Sequence, residues 1–169
     1  MNLYLRLLYT IFISWRQGPA AVADAQALAF RTWPHDLDLN LHMNNGRYLT
    51  LMDLGRVQLM LRLGFGKKIF RGGWMPVIGA VHMRYRRSLK PFGKFRLETK
   101  IVAWDEKWFY SEQRFLVGSE LMAVGVVKGL FRRKGGTVPT AEILAAVPGP
   151  TGVSGPIPEA FRPTAFAGD

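Results

Sequence analysis

From Asn45 to about Leu63, apolar residues recur at three- and four-residue steps. Tyr48, Met52, Gly55, Leu59 and Leu63 form one stripe, with Asp53, Arg56 and Arg62 off it. Leu49, Leu51, Leu54, Met60 and Leu61 widen that stripe well beyond a narrow face, which predicts a helix buried on most sides, as by a curved sheet. Asn44 or Asn45 can cap its start, because a short side-chain oxygen accepts from the free N–H groups of the first turn. Gly64 and Gly66 are expected to stop it. Most of the remaining chain has strand character. Gln26 to Trp33 alternates weakly and ends at Pro34; Trp74 to Ser88 carries Val77, Ile78, Val81, Met83 and Tyr85. Lys94 to Trp104 sets Phe95, Leu97, Thr99, Ile101 and Ala103 against polar neighbours. Lys107 to Val117 follows a tight turn at Asp105-Glu106, and Glu120 to Phe131 follows another at Gly118-Ser119. Such short connections make antiparallel hairpins. The expected order is strand, long helix, four antiparallel strands: an α+β domain with one five-stranded antiparallel sheet around a central helix.

At the start of the chain, Tyr4, Leu8, Ile11 and Trp15 fall at helical spacing, as do Leu5, Leu8 and Phe12, interrupted by Arg6. The segment is shorter than the ~20 residues a membrane helix needs, and no small-residue cleavage site marks it as a secretory signal. Its first reading is an amphipathic helix packed on the domain or on a partner subunit. The second is an interfacial membrane helix with Trp15 and Arg16 at the polar edge. Thr140 to Val147 predicts a short helix. From Pro148 onward Pro, Gly, Ala and Thr dominate, which predicts a flexible or loosely docked tail. The chain thus divides into an N-terminal helix over 1–17, a folded domain over 18–147 and a tail over 148–169.

Composition narrows the chemistry. With no Cys, disulfides, thiolate metal sites and Cys nucleophiles are excluded. His occurs only at positions 35, 42 and 82, so no metal site is expected. The net charge of +11 favours anionic partners. Nucleic acid is not the expected one, because the basic residues form no reading helix and no RNA-binding aromatic signature appears. Much of the charge gathers at Arg84, Arg86, Arg87, Lys90 and Lys94, and again at Arg132, Arg133 and Lys134. These lie near strand ends and turns, where the phosphates of an anionic cofactor could dock.

The chemistry concentrates between Pro34 and Tyr48, where Asp, Asn and His residues crowd the approach to the long helix. The helix start adds open N–H donors and a partial positive charge suited to a developing oxyanion. One short segment therefore supplies a carboxylate, an imidazole, carboxamides and an oxyanion-binding helix end.

The sequence Asp38-Leu-Asn40-Leu-His42-Met-Asn44-Asn45-Gly46-Arg47-Tyr48 resembles the Asp-x-Asn-x-His-x-Asn-Asn-x-x-Tyr motif of hotdog-fold thioesterases, best known from plant acyl-carrier-protein thioesterases. The spacing from Asp38 to Tyr48 is also similar to the four-hydroxybenzoyl-CoA thioesterase type. His82-Met-Arg-Tyr85-Arg-Arg87 and the run from Trp104 to Phe115 resemble the thioesterase superfamily member-six-like branch. The resemblance implies a hotdog fold and hydrolysis of acyl thioesters on coenzyme A or an acyl carrier protein. Coenzyme A would come only as part of the substrate, held by Arg84, Arg86, Arg87, Lys90, Arg132, Arg133 and Lys134, with no separate cofactor and no metal. It assigns Asp38 as nucleophile or general base, and the Asn45 backbone N–H as the donor that polarises the thioester carbonyl. Asn40 and His42 match water-positioning or acid–base positions. Asn40 is equally readable as a loop residue and His42 as an interface histidine; His35, Asp36 and Asp53 are expected to serve the loop and helix surface. The family further implies a homodimer or homotetramer with shared sites. A cytoplasmic protein of fatty acid metabolism is expected, with peripheral membrane contact through the N-terminal helix left open. A hotdog hydratase is the nearest enzymatic rival, but its Asp-x-Asn-Pro-x-His spacing differs from that of Asn40 and His42. A non-catalytic acyl-CoA- or lipid-binding protein is the alternative of another class.

Overall fold

A helix with apolar residues on most of its circumference needs cover on most sides, and an antiparallel sheet supplies it. The computed structural model describes residues 3–147 and 151–162. The central helix, α2 (Asn45–Arg62), buries Tyr48, Leu51, Met52, Leu54, Gly55, Gln58 and Leu59. Around it curl β1 (Gln26–Arg31), β2 (Met75–Tyr85), β3 (Lys94–Trp104), β4 (Phe109–Val117) and β5 (Glu120–Arg133) in the order β1-β3-β4-β5-β2. Every pairing is antiparallel, and a two-residue β6 (Gly136–Thr137) extends β5. This is the α+β hotdog architecture. The strands expected from alternation appear within a few residues of their predicted limits. Four short elements went unforeseen: β6, 3-10 turns at Pro34–Asp36 and Glu159–Phe161, and α3 (Gly66–Phe70), which begins at a glycine expected only to stop α2. Gly64, at φ +82°, makes that break in the left-handed region.

Two apolar clusters fill the space between helix and sheet. One gathers Leu28, Tyr48, Leu51, Met52, Leu97 and Phe115; the other joins Leu59, Leu63, Phe65, Trp74, Phe131 and Ile143, the last from α4 (Thr140–Ala145). Gly55 sets how closely α2 approaches the sheet. A Cβ there would stand 2.4 Å from Thr99 Oγ1 and 2.7 Å from Gln113 Nε2. That close approach lets fully buried Gln113 donate to the Met52 carbonyl and to Thr99 Oγ1 while accepting from Arg56. Beyond α4, the tail is partly docked: Ser154 bonds both the N–H and the carbonyl of Trp104, and Phe161 packs on Tyr110. Residues 148–150 and 163–169 of the expected tail lie outside the described residues, as do residues 1 and 2 of the expected helix.

The N-terminal helix, α1 (Leu3–Gln17), packs on the domain by its polar face. Its buried residues are Arg6, Thr10 and Ser14, one polar stripe at four-residue spacing. The apolar stripe at Tyr4, Leu5, Leu8, Ile11, Phe12 and Trp15 faces outward, with Leu8 at 62 % and Trp15 at 80 % exposure. The inversion is tolerated because the buried polar groups are satisfied. Thr10 Oγ1 donates to the Arg6 carbonyl and Ser14 Oγ to the Thr10 carbonyl. Arg6 donates to both carboxylate oxygens of Asp36, at 3.0 and 2.5 Å, and to the Arg31 carbonyl. Leu7, Tyr9 and Ile13, at the borders of the polar stripe, touch the core.

Candidate active site

The segment before α2 folds as a miniature hairpin. Leu37 bridges Met43 in antiparallel fashion, flanked by an Asp38 N–H to His42 carbonyl bond and an Asn44 N–H to Asp36 carbonyl bond, each 2.8 Å. Asp38 and His42 thus stand opposite each other across the ladder. At the tip, Leu41 takes φ +56°, the left-handed region that a leucine rarely adopts. The Asp38 carboxylate supports that tip: Oδ1 accepts from the Asn40 N–H at 2.9 Å and the His42 N–H at 3.1 Å. Asp38 is half-buried, and no hydrogen bond occupies its Oδ2 among the described residues. Asn40 and His42 are exposed.

The hairpin runs directly into α2. Asn44 is its cap, its side chain accepting from the Gly46 N–H at 2.8 Å, and its carbonyl takes the Arg47 N–H. No group among the described residues accepts from the N–H of Asn45, the first helical residue. The first turn carries no acidic side chain, so the positive end of the helix dipole is left uncompensated there. One rigid unit therefore joins the carboxylate of Asp38 to an open helix N-terminus. Tyr48, one turn on, is a wall residue, edge-on to Tyr85 and Phe115; burial raises its phenol pKa.

Asp36 corrects an expectation. Far from serving the surface, it is fully buried and anchors the hairpin's base. Besides Arg6 it accepts from the Trp33 N–H, with Arg47 and His35 on its other flank. Pairing with a residue thirty positions earlier leaves no local signal in the chain.

The basic residues separate into two groups. Met75 pairs with Arg132 and Tyr85 with Ala123, so Arg132, Arg133 and Lys134 lie at one end of β2 and Arg84, Arg86, Arg87 and Lys90 at the other. At about 3.3 Å per residue the ends of this strand stand roughly 33 Å apart. Within a single chain the seven therefore form two separate basic groups. The group at Arg84 to Lys90 is on the Asp38 side, since the Met43 N–H reaches the Leu89 carbonyl. Two of the seven are already ion-paired: Arg87 with Glu120 and Arg133 with Glu142.

What the residue pattern did not reveal is a cavity of ≈ 340 Å³ between α2, the sheet and α4. Val57, Leu59, Met60, Val77, Ile101, Leu130 and Ile143 are among its walls, with Asp53, Arg56 and Ser111 its polar fringe. Arg56 is mostly buried; burial lowers its guanidinium pKa, opposed by Asp53 beside it. Phe65, just beyond α2, also lines the cavity, whereas its neighbours Ile69, Phe70, Trp74 and Met75 do not. Asp38, Asn40, His42 and Asn45 do not line it. The cavity is assembled from α2, four strands and α4, so no local pattern announces it.

Finally, β2 closes one end of the sheet with an unpaired edge and no buried residue along its length, and Met75, Ile78, Val81 and Tyr85 are exposed on it.

A family model described as the thioesterase-like superfamily matches residues 32–162. Protein THEM6 of Danio rerio is 40 % identical over 69 % of this chain and 58 % of its own length. A probable thioesterase of Saccharomyces cerevisiae is 29 % identical over 56 % of the chain and 43 % of its own length. The chain thus spans less than two thirds of these curated relatives. Among solved structures, a probable thioesterase of Escherichia coli superposes with a TM-score of 0.65 at 14 % identity, covering 70 % of this chain and 92 % of that one.

Proposed function

The chain belongs to the thioesterase-like superfamily, and from that premise we propose that it hydrolyses acyl thioesters, with Asp38 as the reacting carboxylate. The observation that carries this reading is the joined unit of the Asp38 carboxylate and the open N-terminus of α2. A thioester is already activated, so hydrolysis needs a placed nucleophile and a donor for the oxyanion. Asp38 either takes a proton from a water as it adds to the carbonyl, or adds itself to give an anhydride that water then cleaves. In both routes charge collects on the thioester oxygen, where the Asn45 N–H and the helix dipole stabilise it, and the thiolate departs. A positioned base contributes typically ~10²–10⁴-fold and an oxyanion donor ~10²–10³-fold, enough to define a site. Asn40 and His42, at the hairpin tip beside Asp38, would position water.

The acyl group would occupy the ≈ 340 Å³ cavity, which has room for roughly ten methylene-sized groups at about 30 Å³ each, the share of a water in the liquid. Asp38 and this cavity would be brought together by a second copy. An exposed apolar edge is normally covered, and antiparallel pairing of two β2 strands sets the Met75 end of one beside the Tyr85 end of the other. The cavity-lining Pro76, Val77 and Ile78 of one copy would then face the Asp38 side of its mate. The same operation brings Arg132, Arg133 and Lys134 of one copy toward Arg84, Arg86, Arg87 and Lys90 of the other. A combined basic surface of this kind suits the phosphates of coenzyme A or of carrier-bound phosphopantetheine. Its contribution should appear as a KM that rises with salt.

The test is release of free thiol from a panel of acyl-CoAs. Asp38→Asn keeps size and most hydrogen bonding, so the fold should survive while kcat falls by roughly 10²-fold or more. Full activity in Asp38→Asn would remove Asp38 from the mechanism. A second reading, acyl-CoA or lipid binding without turnover, draws on the role of Asp38 Oδ1 as acceptor for the hairpin tip. Binding of the panel with no thiol released by the wild type would select it.

A further inference from the structure

We infer that α1 is a membrane-docking helix whose outward face rests on an anionic phospholipid surface. The face is a continuous stripe of Tyr4, Leu5, Leu8, Ile11, Phe12 and Trp15, all exposed, diametrically opposite the buried Arg6, Thr10 and Ser14. The domain makes no use of it: α1 is fastened by its polar side, through Arg6 to Asp36 and to the Arg31 carbonyl. An exposed apolar stripe that folding leaves uncovered marks a surface for something outside the chain.

Charge and composition point to lipid. Between Leu3 and Gln17 there is no acidic residue. Arg16 borders the stripe, with its guanidinium over the Phe12 ring. On the same flank Tyr9 shares a surface groove with Arg31 and Lys94, neither of them ion-paired among the described residues. Aliphatic residues mixed with Trp, Tyr and Phe, bordered by cations, match the headgroup boundary, where an aromatic ring spans the polar and apolar zones. The described helices include none long and apolar enough to cross a membrane, which leaves α1 to lie along the surface. A second copy is the poorer occupant. The exposed apolar edge that invites sheet continuation is β2, and α1 packs at the opposite end of the sheet, beside β1.

The test is co-sedimentation of the full chain with vesicles of phosphatidylcholine alone or mixed with phosphatidylglycerol. The wild type should pellet with the mixed vesicles and less with phosphatidylcholine alone. Leu8→Glu/Phe12→Glu should lower the bound fraction's partition coefficient by roughly tenfold or more, with an unchanged thermal midpoint and unchanged thiol release from a soluble thioester. Arg16→Glu/Lys94→Glu, which leaves the apolar face intact, should reduce only the preference for anionic vesicles. Failure of the wild type to pellet with either vesicle, or equal pelleting of the Leu8/Phe12 variant, would overturn the inference. So would a wild-type assembly in solution larger than a dimer that the Leu8/Phe12 variant dissolves, which would make a second copy the occupant. Vesicle binding is read independently of turnover, so its failure is distinct from failure of the hydrolase reading.

Discussion

Asp36→Asn removes one charge from a pair that water scarcely reaches: the Asp36 side chain is 0 % exposed and that of Arg6 is 3 %. In the wild type the carboxylate receives two N–H groups of Arg6 and one from the Trp33 backbone. The carboxamide keeps one acceptor oxygen but turns an NH₂ toward a guanidinium that has only donors, so Arg6 stays buried without a counter-charge. Breaking a buried pair by removing one partner costs about 3–5 kcal/mol, a large part of the roughly 5–15 kcal/mol that holds a typical domain. At about 2–4 °C per kcal/mol for a chain of this size, the midpoint should fall by roughly 6–20 °C. Thermal and urea unfolding of Asp36→Asn, Arg6→Met and the double variant provide the assay. Each single change should cost a similar amount, and the double should cost less than their sum by at least ~2 kcal/mol, because the second change removes the stranded partner of the first. An Asp36→Asn midpoint within a degree of wild type, or strict additivity in the cycle, would refute the reasoning.

Three further outcomes are expected. Gly55→Ala should destabilise the fold by about 1–3 kcal/mol despite its better helix propensity, since the new methyl meets Thr99 and Gln113; a stabilised variant in urea unfolding would contradict this. Tyr110, whose phenol is pushed up to about 12 by burial and by its hydrogen bond to Asp105, should add stability below pH 10 that is lost as pH rises through its folded value. Tyr110→Phe should therefore narrow its stability difference from wild type between pH 9 and pH 12, and a constant difference would argue against the shift. On the free edge, Ile78→Lys/Val81→Lys should give monomers by light scattering together with loss of turnover; a dimer of unchanged activity would place the interface elsewhere.

How much of this was legible in the chain depended on the range of the interactions. α2 and the strands follow from periodicity, because a helix enclosed by a sheet and strands with one covered face each repeat their burial at fixed steps. Thr99 and Gln113 sit at inward positions of their strands but are polar, and only the gap left by Gly55 across the helix explains them. For α1 the repeat was legible and the buried face was not: periodicity identifies two faces without saying which is buried. The buried choice was made by Asp36, a residue far along the chain that offers Arg6 a counter-charge. The motif around Asp38 was visible because its residues are contiguous and fold on themselves into a hairpin and a cap. The cavity and the separation of the two basic groups were not, because both depend on how β2 lies against β5.

The Arg6–Asp36 pair also has a mechanical meaning. Asp36 stands two positions before Asp38, and together with the core contacts of Leu7, Tyr9 and Ile13 it holds the helix against the domain. Helix and hairpin therefore move as one piece, so α1 acts as a foot and not as a tether. Any surface on which that foot rested would fix the tilt of the sheet and the height of the Asp38 hairpin above it. A leash would let that hairpin sweep a volume; a foot confines it to one distance and sets which substrates can arrive without the protein first letting go.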